Sequence, residues 1–170
     1  CFTFTCRVQV LEMTALSGTN PPTQDTIFTD LGVRSILLVD DTASNRLVVR
    51  SFLKDFDLDL IEACNGADAL AILDHSSVDL VLLDMKMPVM DGQDTLLAMT
   101  ARGGRIAATP VVMLTANAAP EDRELFLSLG AVGYIAKPVR KAQLLAEIQR
   151  VAAAHGHKPI ETRQSPRTGT

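Results

Sequence analysis

The sequence predicts an α/β domain in which helices cover both faces of a doubly wound, five-stranded parallel sheet. From residue 33 to about residue 154, short apolar runs alternate with segments whose apolar residues recur at helical spacing. That alternation is typical of βαβ units, whose parallel strands are buried on both faces. Polar residues follow several of the runs directly. Because ligands of such sheets bind outside the carboxyl ends of the strands, the sequence also predicts where a site would lie.

Five strands and five helices account for this region. The apolar runs predict strands at residues 36–39, 58–61, 78–83, 111–114 and 134–136. Apolar residues at helical spacing predict the helices, namely Val48, Val49, Phe52, Leu53 and Phe56, then Leu70, Ile72 and Leu73, then Leu96 and Leu97, then Leu125, Phe126 and Leu129, and last Leu144, Leu145, Ile148 and Val151.

Residues that start and stop helices agree with this assignment. Asn65, with Asp68 three residues later, is typical of a capped helix start, and Pro120 suits a first helical turn. Gly130 follows the last apolar residue of its helix. Asn65-Gly66 is also a hairpin signal, but the helical pattern after it favours a turn from strand to helix.

The two ends of the chain differ in character from this domain, which we place at residues 34–154. Residues 1–12 alternate apolar and polar side chains and predict one strand without a partner, which must pair with a neighbouring sheet, another chain or a further domain. Residues 13–33 are rich in Ser, Thr, Asn, Gly and Pro and predict a linker. Residues 155–170 are polar, contain two prolines and predict a disordered tail.

Composition excludes several classes of function. The 170 residues carry 16 Lys and Arg against 20 Asp and Glu, so the net charge of −4 disfavours direct nucleic-acid binding. No apolar run is long enough to span a membrane, and we expect a cytoplasmic location. The odd number of cysteines argues against a disulfide framework, and we expect Cys64 to be a small buried apolar residue.

Polar side chains cluster at the predicted carboxyl edge of the sheet. Asp40 and Asp41 follow the first strand, Asp84 the third, Thr115 the fourth and Lys137 the fifth. Each has an ordinary explanation when taken singly, since aspartates often cap helices and lysines are often solvated. Together, three carboxylates that face one another repel unless a cation lies between them. Oxygen ligands alone favour Mg²⁺.

This set of groups suits phosphoryl transfer. A metal ion, an ammonium group and a hydroxyl can neutralise the charge of the phosphoryl oxygens. Asp84 is then the nucleophile, and its carboxylate forms an acyl phosphate.

Five segments of the chain resemble the response-regulator receiver domain of two-component signalling: LLVDDTASNR, EACNGADAL, VDLVLLDMKMPVMDG, VVMLTAN and GYIAKPV. The resemblance covers about 120 residues. It implies a flavodoxin-like sheet with strand order 2-1-3-4-5 and a phosphoryl group accepted by Asp84. By the same resemblance the ligands of Mg²⁺ are Asp40, Asp41, Asp84 and the backbone carbonyl of Lys86, while Thr115 and Lys137 contact the phosphoryl group.

The resemblance also implies a switch. Thr115 moves toward the phosphoryl group, Tyr134 turns inward, and the surface of the fourth helix, fifth strand and fifth helix changes, which is also where a homodimer would form. Lys137-Pro138 resembles the family's cis peptide step. Met85, Lys86 and Asn117 flank the acceptor and the threonine, where the family tunes the lifetime of the phosphoryl group.

The first residues, CFTFTCRVQV, resemble the last strand of the ATP-binding domain of a histidine kinase. We therefore expect that the chain comes from a hybrid sensor kinase, of a kind that can be anchored in a membrane. We expect its donor to be a phosphohistidine of a kinase or histidine phosphotransfer domain. On this interpretation the chain catalyses its own phosphorylation and dephosphorylation but is not an autonomous kinase.

Three alternatives stay open at this point. A DNA-binding response regulator would carry a helix-turn-helix segment, and none follows residue 154. An aspartyl-nucleophile phosphatase would have a second acid two residues after the nucleophile, where this chain has Lys86. A receiver-like binding module without phosphorylation would not need the full set of acids, threonine and lysine.

Overall fold

The computed structural model describes residues 5–6, 31–116 and 120–155. Residues 13–30 of the predicted linker, Asn117 and most of the predicted tail lie outside these residues. The strands are β1 (Thr5–Cys6), β2 (Ser35–Val39), β3 (Asp59–Ala63), β4 (Leu80–Asp84), β5 (Val111–Thr115) and β6 (Gly133–Ala136). The helices are α1 (Ala43–Leu53), α2 (Gly66–His75), α3 (Gly92–Arg102), α4 (Gly104–Ala108), α5 (Pro120–Ser128) and α6 (Lys141–His155).

The strands form one sheet in the order β1-β3-β2-β4-β5-β6. The five strands from β2 to β6 are parallel to one another, and their order is the predicted 2-1-3-4-5. The order reverses at β2 and β4, so a crevice is expected outside the carboxyl ends of these two strands. β1 pairs with β3 in antiparallel register, with Thr5 opposite Ile61 and Cys6 opposite Leu60. The partnerless strand predicted near the amino end thus adds to a sheet edge, over the two residues that are described.

Two apolar layers cover the faces of the sheet. Beneath α1 and α6, the core contains Val49, Leu53, Leu144, Ile148 and Val151, all almost fully buried. Beneath α2, α3 and α5, it contains Leu70, Leu73, Leu96, Met99 and Phe126. Leu31 and Val33 join the first layer, so the packed domain begins a few residues before the predicted boundary at residue 34.

Strand boundaries differ from the predictions by one or two residues, and Phe56, predicted in the first helix, lies three residues beyond the end of α1. Asp84 and Thr115 are the last residues of β4 and β5 and do not follow these strands, because their backbones still pair with the neighbouring strands. The predicted cap of α2 is confirmed, since the side chain of Asn65 accepts a hydrogen bond from the Asp68 N–H at 2.9 Å. Gly130 has a φ of +102°, which suits its place after α5.

The short helix α4 is absent from the sequence prediction. It has no buried residue, so it lacks the apolar periodicity from which the other helices were predicted. It begins at Gly104, and the φ values of Gly103 and Gly104, +68° and +57°, turn the chain out of α3. Arg105 of α4 donates to the carbonyls of Leu73 and Ser76 at 2.9 and 2.7 Å, which ties α4 to the end of α2.

Two further expectations need correction. Val48, Leu97 and Leu125 helped to predict helices, yet they are 43%, 45% and 40% exposed, because their neighbours at 49, 96 and 126 take the inward direction. Cys64 is half-buried and disulfide-bonded, so its interpretation as a free apolar side chain is wrong. An odd number of cysteines leaves one unpaired but does not prevent a single pair. Among the described helices, none is both long enough and apolar enough to cross a membrane.

Candidate functional site

Asp40 is the most deeply buried acid at the carboxyl edge of the sheet. It follows β2, is fully buried, and accepts hydrogen bonds from the backbone N–H of Thr42 and from Nζ of Lys137, each at 2.8 Å. A carboxylate without access to water is stable only when such donors surround it.

Asp84 faces Asp40 from the neighbouring strand β4. It is 5% exposed, and its Oδ1 lies 2.8 Å from Nζ of Lys137. Burial raises the pKa of the Asp84 carboxyl, the hydrogen bond and charge of Lys137 lower it, and the nearby charge of Asp40 raises it again. The net direction is upward, so burial and the second carboxylate outweigh the ammonium group.

Lys137 bridges the two buried carboxylates. Burial lowers the pKa of its ammonium group, and the hydrogen bonds and charges of Asp40 and Asp84 raise it. The two carboxylates outweigh burial, so the net direction of the pKa is upward. The residue sits directly after β6, its backbone N–H donates to the Thr115 carbonyl at 2.7 Å, and its peptide bond to Pro138 is cis, as the resemblance implied. Lys137 therefore stays charged in the site.

Asp41 completes a cluster of three carboxylates. Oxygens of Asp40, Asp41 and Asp84 all lie within 4.8 Å of one another, and Asp41 is exposed while the other two are buried. Such a set consists of the hard oxygen ligands that Mg²⁺ takes, with one side open to water. The three predicted carboxylate ligands therefore come together, and their chemistry fits a divalent cation.

The loop after β4 wraps around Asp84. The backbone of Lys86 hydrogen-bonds the Asp84 carboxylate, while the lysine side chain is exposed. A Cβ on Gly92 would stand 2.4 Å from the carbonyl oxygen of Asp84, so only glycine allows α3 to start this close to the acceptor. The Met90 N–H donates to the Pro88 carbonyl at 2.9 Å around Val89, whose φ is +72°, which forms a γ-turn.

The two residues predicted to switch lie on the neighbouring strands β5 and β6. Thr115 is 3% exposed at the end of β5. Tyr134 of β6 is half-buried and packs against the apolar layer beneath α2, α3 and α5. Of the predicted elements of the switch surface, the fourth helix, fifth strand and fifth helix correspond to α5, β6 and α6.

Two residues that contact Asp40 were missed in the sequence. Nδ2 of Asn45 lies 3.1 and 3.2 Å from the two carboxylate oxygens of Asp40, and Nη1 of Arg46 donates to the Asp40 backbone carbonyl at 2.7 Å. Both belong to the first turn of α1, which starts directly after the acid pair. Their position one helical turn beyond Asp41 was the available signal, because a helix that starts at a strand end turns its first residues toward that end.

A family profile matches this chain from residue 36 to residue 149, a span that includes the whole cluster, and its description is "Response regulator receiver domain". The chain belongs to this family. Receiver domains of two-component systems use the fold found here, and the predicted family and fold are both confirmed.

Relatives of this receiver domain include a regulator and a sensor protein. It is 40% identical to the transcriptional regulatory protein CpxR of Escherichia coli (strain K12) over 119 residues, which are 70% of this chain and 49% of CpxR. It is 30% identical to the sensor protein GacS of Pseudomonas syringae pv. syringae over 132 residues, which are 76% of this chain and 15% of GacS. The chain thus spans about half of the length of CpxR and a smaller part of GacS.

A solved structure extends the comparison to the site. The receiver domain of sensor histidine kinase PA1611 from Pseudomonas aeruginosa PAO1 matches with a TM-score of 0.63 and 30% identity, and the match covers 71% of this chain and 98% of that one. That structure has a magnesium ion coordinated in its active site cleft.

Proposed function

We propose that this receiver domain accepts a phosphoryl group on Asp84 from a phosphohistidine. The observation that carries the proposal is the position of Asp84, buried at the end of β4 with Nζ of Lys137 2.8 Å from its carboxylate and two further acids beside it. A nucleophile needs an open approach, and the exposed side of the cluster lies at Asp41.

Asp40, Asp41, Asp84 and the backbone carbonyl of Lys86 would hold Mg²⁺, which supplies charge neutralisation for the phosphoryl oxygens when bound. The magnesium ion in the PA1611 receiver domain supports this assignment. Three carboxylate oxygens within 4.8 Å of one another support it independently.

The transfer is a single displacement at phosphorus. A carboxylate oxygen of Asp84 forms the new O–P bond while the N–P bond of the phosphohistidine breaks, and the imidazole nitrogen keeps the electron pair. Lys137 and Thr115 would contact the transferred oxygens, since an ammonium and a hydroxyl can follow the charge as it moves. Hydrolysis of the acyl phosphate by water restores Asp84.

We also propose the partners and the parent protein. The donor is a phosphohistidine kinase or histidine phosphotransfer domain. The output surface consists of α5, β6 with Tyr134, and α6, and a homodimer would form through the same surface. The likeness to GacS and to the receiver domain of PA1611 supports a sensor kinase as the parent, and we propose a hybrid kinase. Residues 1–12 would then be the end of its ATP-binding domain. A cytoplasmic location follows from that proposal.

Labelling with acetyl phosphate tests the nucleophile and the metal together. Intact mass is measured with and without Mg²⁺ for the natural chain, for Asp84→Asn and for Asp74→Asn, an exposed acid paired with Arg102 on the surface. We expect one phosphoryl group per chain, only with Mg²⁺, in the natural chain and in Asp74→Asn but not in Asp84→Asn. Labelling that survives Asp84→Asn would overturn the assignment of the nucleophile.

Transfer from a phosphorylated histidine domain tests the class of donor. We expect the label to move from the histidine to Asp84 within the same mixture. A folded, Mg²⁺-binding chain that accepts phosphoryl from neither acetyl phosphate nor a histidine domain would instead be a binding module.

A further inference from the structure

Two consecutive residues of α1 hold Asp40 by different parts. The side-chain amide of Asn45 lies 3.1 and 3.2 Å from the Asp40 carboxylate oxygens, and the guanidinium of Arg46 lies 2.7 Å from its backbone carbonyl. Neither residue is one of the groups proposed above to bind the metal or the phosphoryl group. Because Asn45 hydrogen-bonds the side chain of Asp40 and Arg46 hydrogen-bonds its backbone, these contacts restrict both the rotation of the Asp40 side chain and the movement of its backbone relative to α1.

Arg46 is itself fixed from the edge of the sheet. Its Nε lies 3.0 Å from Oε2 of Glu62 in β3, and the two side chains are only 15% and 11% exposed. The other Glu62 oxygen accepts a hydrogen bond from Nε of Arg50 at 2.8 Å. A carboxylate bound by two guanidinium groups away from bulk water has little freedom to move. Glu62 of β3 therefore fixes the guanidinium of Arg46, which in turn holds the backbone carbonyl of Asp40.

The acceptor positions of the Asp40 carboxylate are all in use. Thr42, Asn45 and Lys137 make four contacts with it, two on each oxygen, because Asn45 contacts both oxygens. An ionised carboxylate offers about four acceptor positions. A cation bound to Asp40 would therefore share its oxygens with these donors.

We propose that Asn45 and Arg46 are positioning residues for the divalent-cation site of this receiver domain. They fix Asp40 in one orientation, so that a cation meets an arranged set of ligands and Asp40 does not have to reorganise. The inference rests on the proposed function, since it concerns the same Mg²⁺. Loss of a residue that orients a metal ligand typically weakens metal binding about 10–100-fold.

The sign of the effect separates positioning from simple electrostatics. Arg46→Met removes a positive charge close to three carboxylates, and charge alone would make Mg²⁺ bind more tightly. Positioning predicts the opposite, because the Asp40 backbone loses its anchor. Asn45→Leu keeps the shape of the side chain, changes no charge and removes the donor, so its effect comes from orientation.

Calorimetric titration of the full chain with Mg²⁺ tests the inference. We expect the dissociation constant to rise about 10–100-fold in Asn45→Leu and in Arg46→Met. Arg102→Met is the matched control, since Arg102 pairs with exposed Asp74 at 3.3 Å and does not contact Asp40, and we expect it to bind as the natural chain does. Thermal unfolding in EDTA checks that each variant folds. Glu62→Gln, which leaves both contacts to Asp40 in place, gives a smaller loss and serves if Arg46→Met does not fold.

Labelling by acetyl phosphate at saturating Mg²⁺ gives a second, independent result. Because neither residue touches the phosphoryl group, the labelling rate of Asn45→Leu should recover to that of the natural chain once the site is filled. Unchanged or tighter Mg²⁺ binding in both folded variants would overturn the inference, and so would a rate that stays low at saturation. If the natural chain shows no Mg²⁺ binding that depends on Asp84, the proposed function itself is wrong.

Discussion

Asp84 carries a charge in a place where a folded protein disfavours one. Burial and the neighbouring Asp40 raise the pKa of its carboxyl even though Lys137 lies 2.8 Å away. The folded state therefore binds a proton more readily than the unfolded state. Ionisation of Asp84 then costs folding stability, and this cost is present at neutral pH and disappears as pH falls below the ordinary carboxyl pKa. The ionised carboxylate of Asp84, which the proposed reaction requires, therefore lowers the stability of the folded domain.

In EDTA, Asp84→Asn should unfold at a higher urea concentration than the natural chain at pH 7. Asparagine has the same shape without the charge, so the gain should shrink as pH approaches 3.8, where the carboxyl becomes protonated in both states. Urea unfolding at pH 7 and near pH 4 measures the difference. Asp74→Asn, on the surface, is the control and should change stability by less than about 0.5 kcal/mol. Equal or lower stability of Asp84→Asn at pH 7 would mean that the Lys137 bridge outweighs burial.

Val89 is strained by its own backbone. It has a φ of +72° in the γ-turn after β4, and its side chain is 88% exposed and gains little from packing. A left-handed conformation costs an L-residue about 1–2 kcal/mol, and a glycine costs about 0.5–1 kcal/mol in chain entropy.

Val89→Gly should therefore stabilise the domain by about 0.5–1 kcal/mol, because the relief of strain exceeds the entropy cost. Thermal unfolding should show a midpoint a few degrees higher. Val48→Gly is the control, since Val48 is also exposed but lies in α1, and it should lose about 0.5 kcal/mol. The same sign of change in both variants would contradict the account of strain.

At the scale of elements, the segment before β2 is packed against the end of α6. Leu31 and Val33 are 3% and 7% exposed, and between them Gly32 has a φ of +72°. A Cβ on Gly32 would stand 3.0 Å from the Cβ of Ala152 in α6. The glycine thus satisfies both a backbone conformation and a close approach between two elements.

Gly32→Ala should destabilise the domain by about 1–3 kcal/mol, through the left-handed backbone and the crowded contact. A double-mutant cycle with Ala152→Gly separates the two terms. The second substitution opens space beside residue 32, so the double variant should be more stable than the sum of the single effects. Additive free energies of unfolding, measured in urea, would show that the contact with Ala152 carries none of the cost.

At the scale of the whole molecule, the five parallel strands and their two apolar layers form a complete core between residues 31 and 155. The segment before residue 31 adds one short antiparallel pairing of β1 beside β3 and the second cysteine of the Cys64 disulfide, since the only other cysteines of the sequence are at positions 1 and 6. The charged edge with Asp40, Asp84 and Lys137 needs only β2, β4 and the end of β6. Fold and site should therefore survive without the amino-terminal segment.

A chain limited to residues 31–155 should fold and take up phosphoryl from acetyl phosphate as the full chain does. A chain limited to residues 34–155 should be less stable by about 3 kcal/mol or more, since burial of a Leu or Val side chain contributes about 1.5–3 kcal/mol each. Urea unfolding of the two chains measures the difference that Leu31 and Val33 make. Equal stabilities would mean that these side chains do not belong to the core.

The polar edge of the site was predictable because parallel strands bring their carboxyl ends together. That rule placed Asp40, Asp84 and Lys137 in one cluster from their positions after apolar runs. Helix faces were predicted less well, since Val48 and Val49 are both apolar and only packing decides which of them turns inward. The helix α4 gave no apolar period at all, because it is held by hydrogen bonds from Arg105 to α2.

The sequence by itself determined the alternation of strands and helices, the class of sheet and the clustering of Asp40, Asp41, Asp84 and Lys137. These follow from local hydrophobic periods and from the fixed direction of parallel strands. Only the tertiary structure decided how the acids are held. Lys137 hydrogen-bonds Asp40, which is 97 residues away in the sequence, and Arg46 hydrogen-bonds Glu62, which is 16 residues away. Side-chain contacts between separate elements depend on how helices pack on the sheet, and no local pattern in the sequence encodes that geometry.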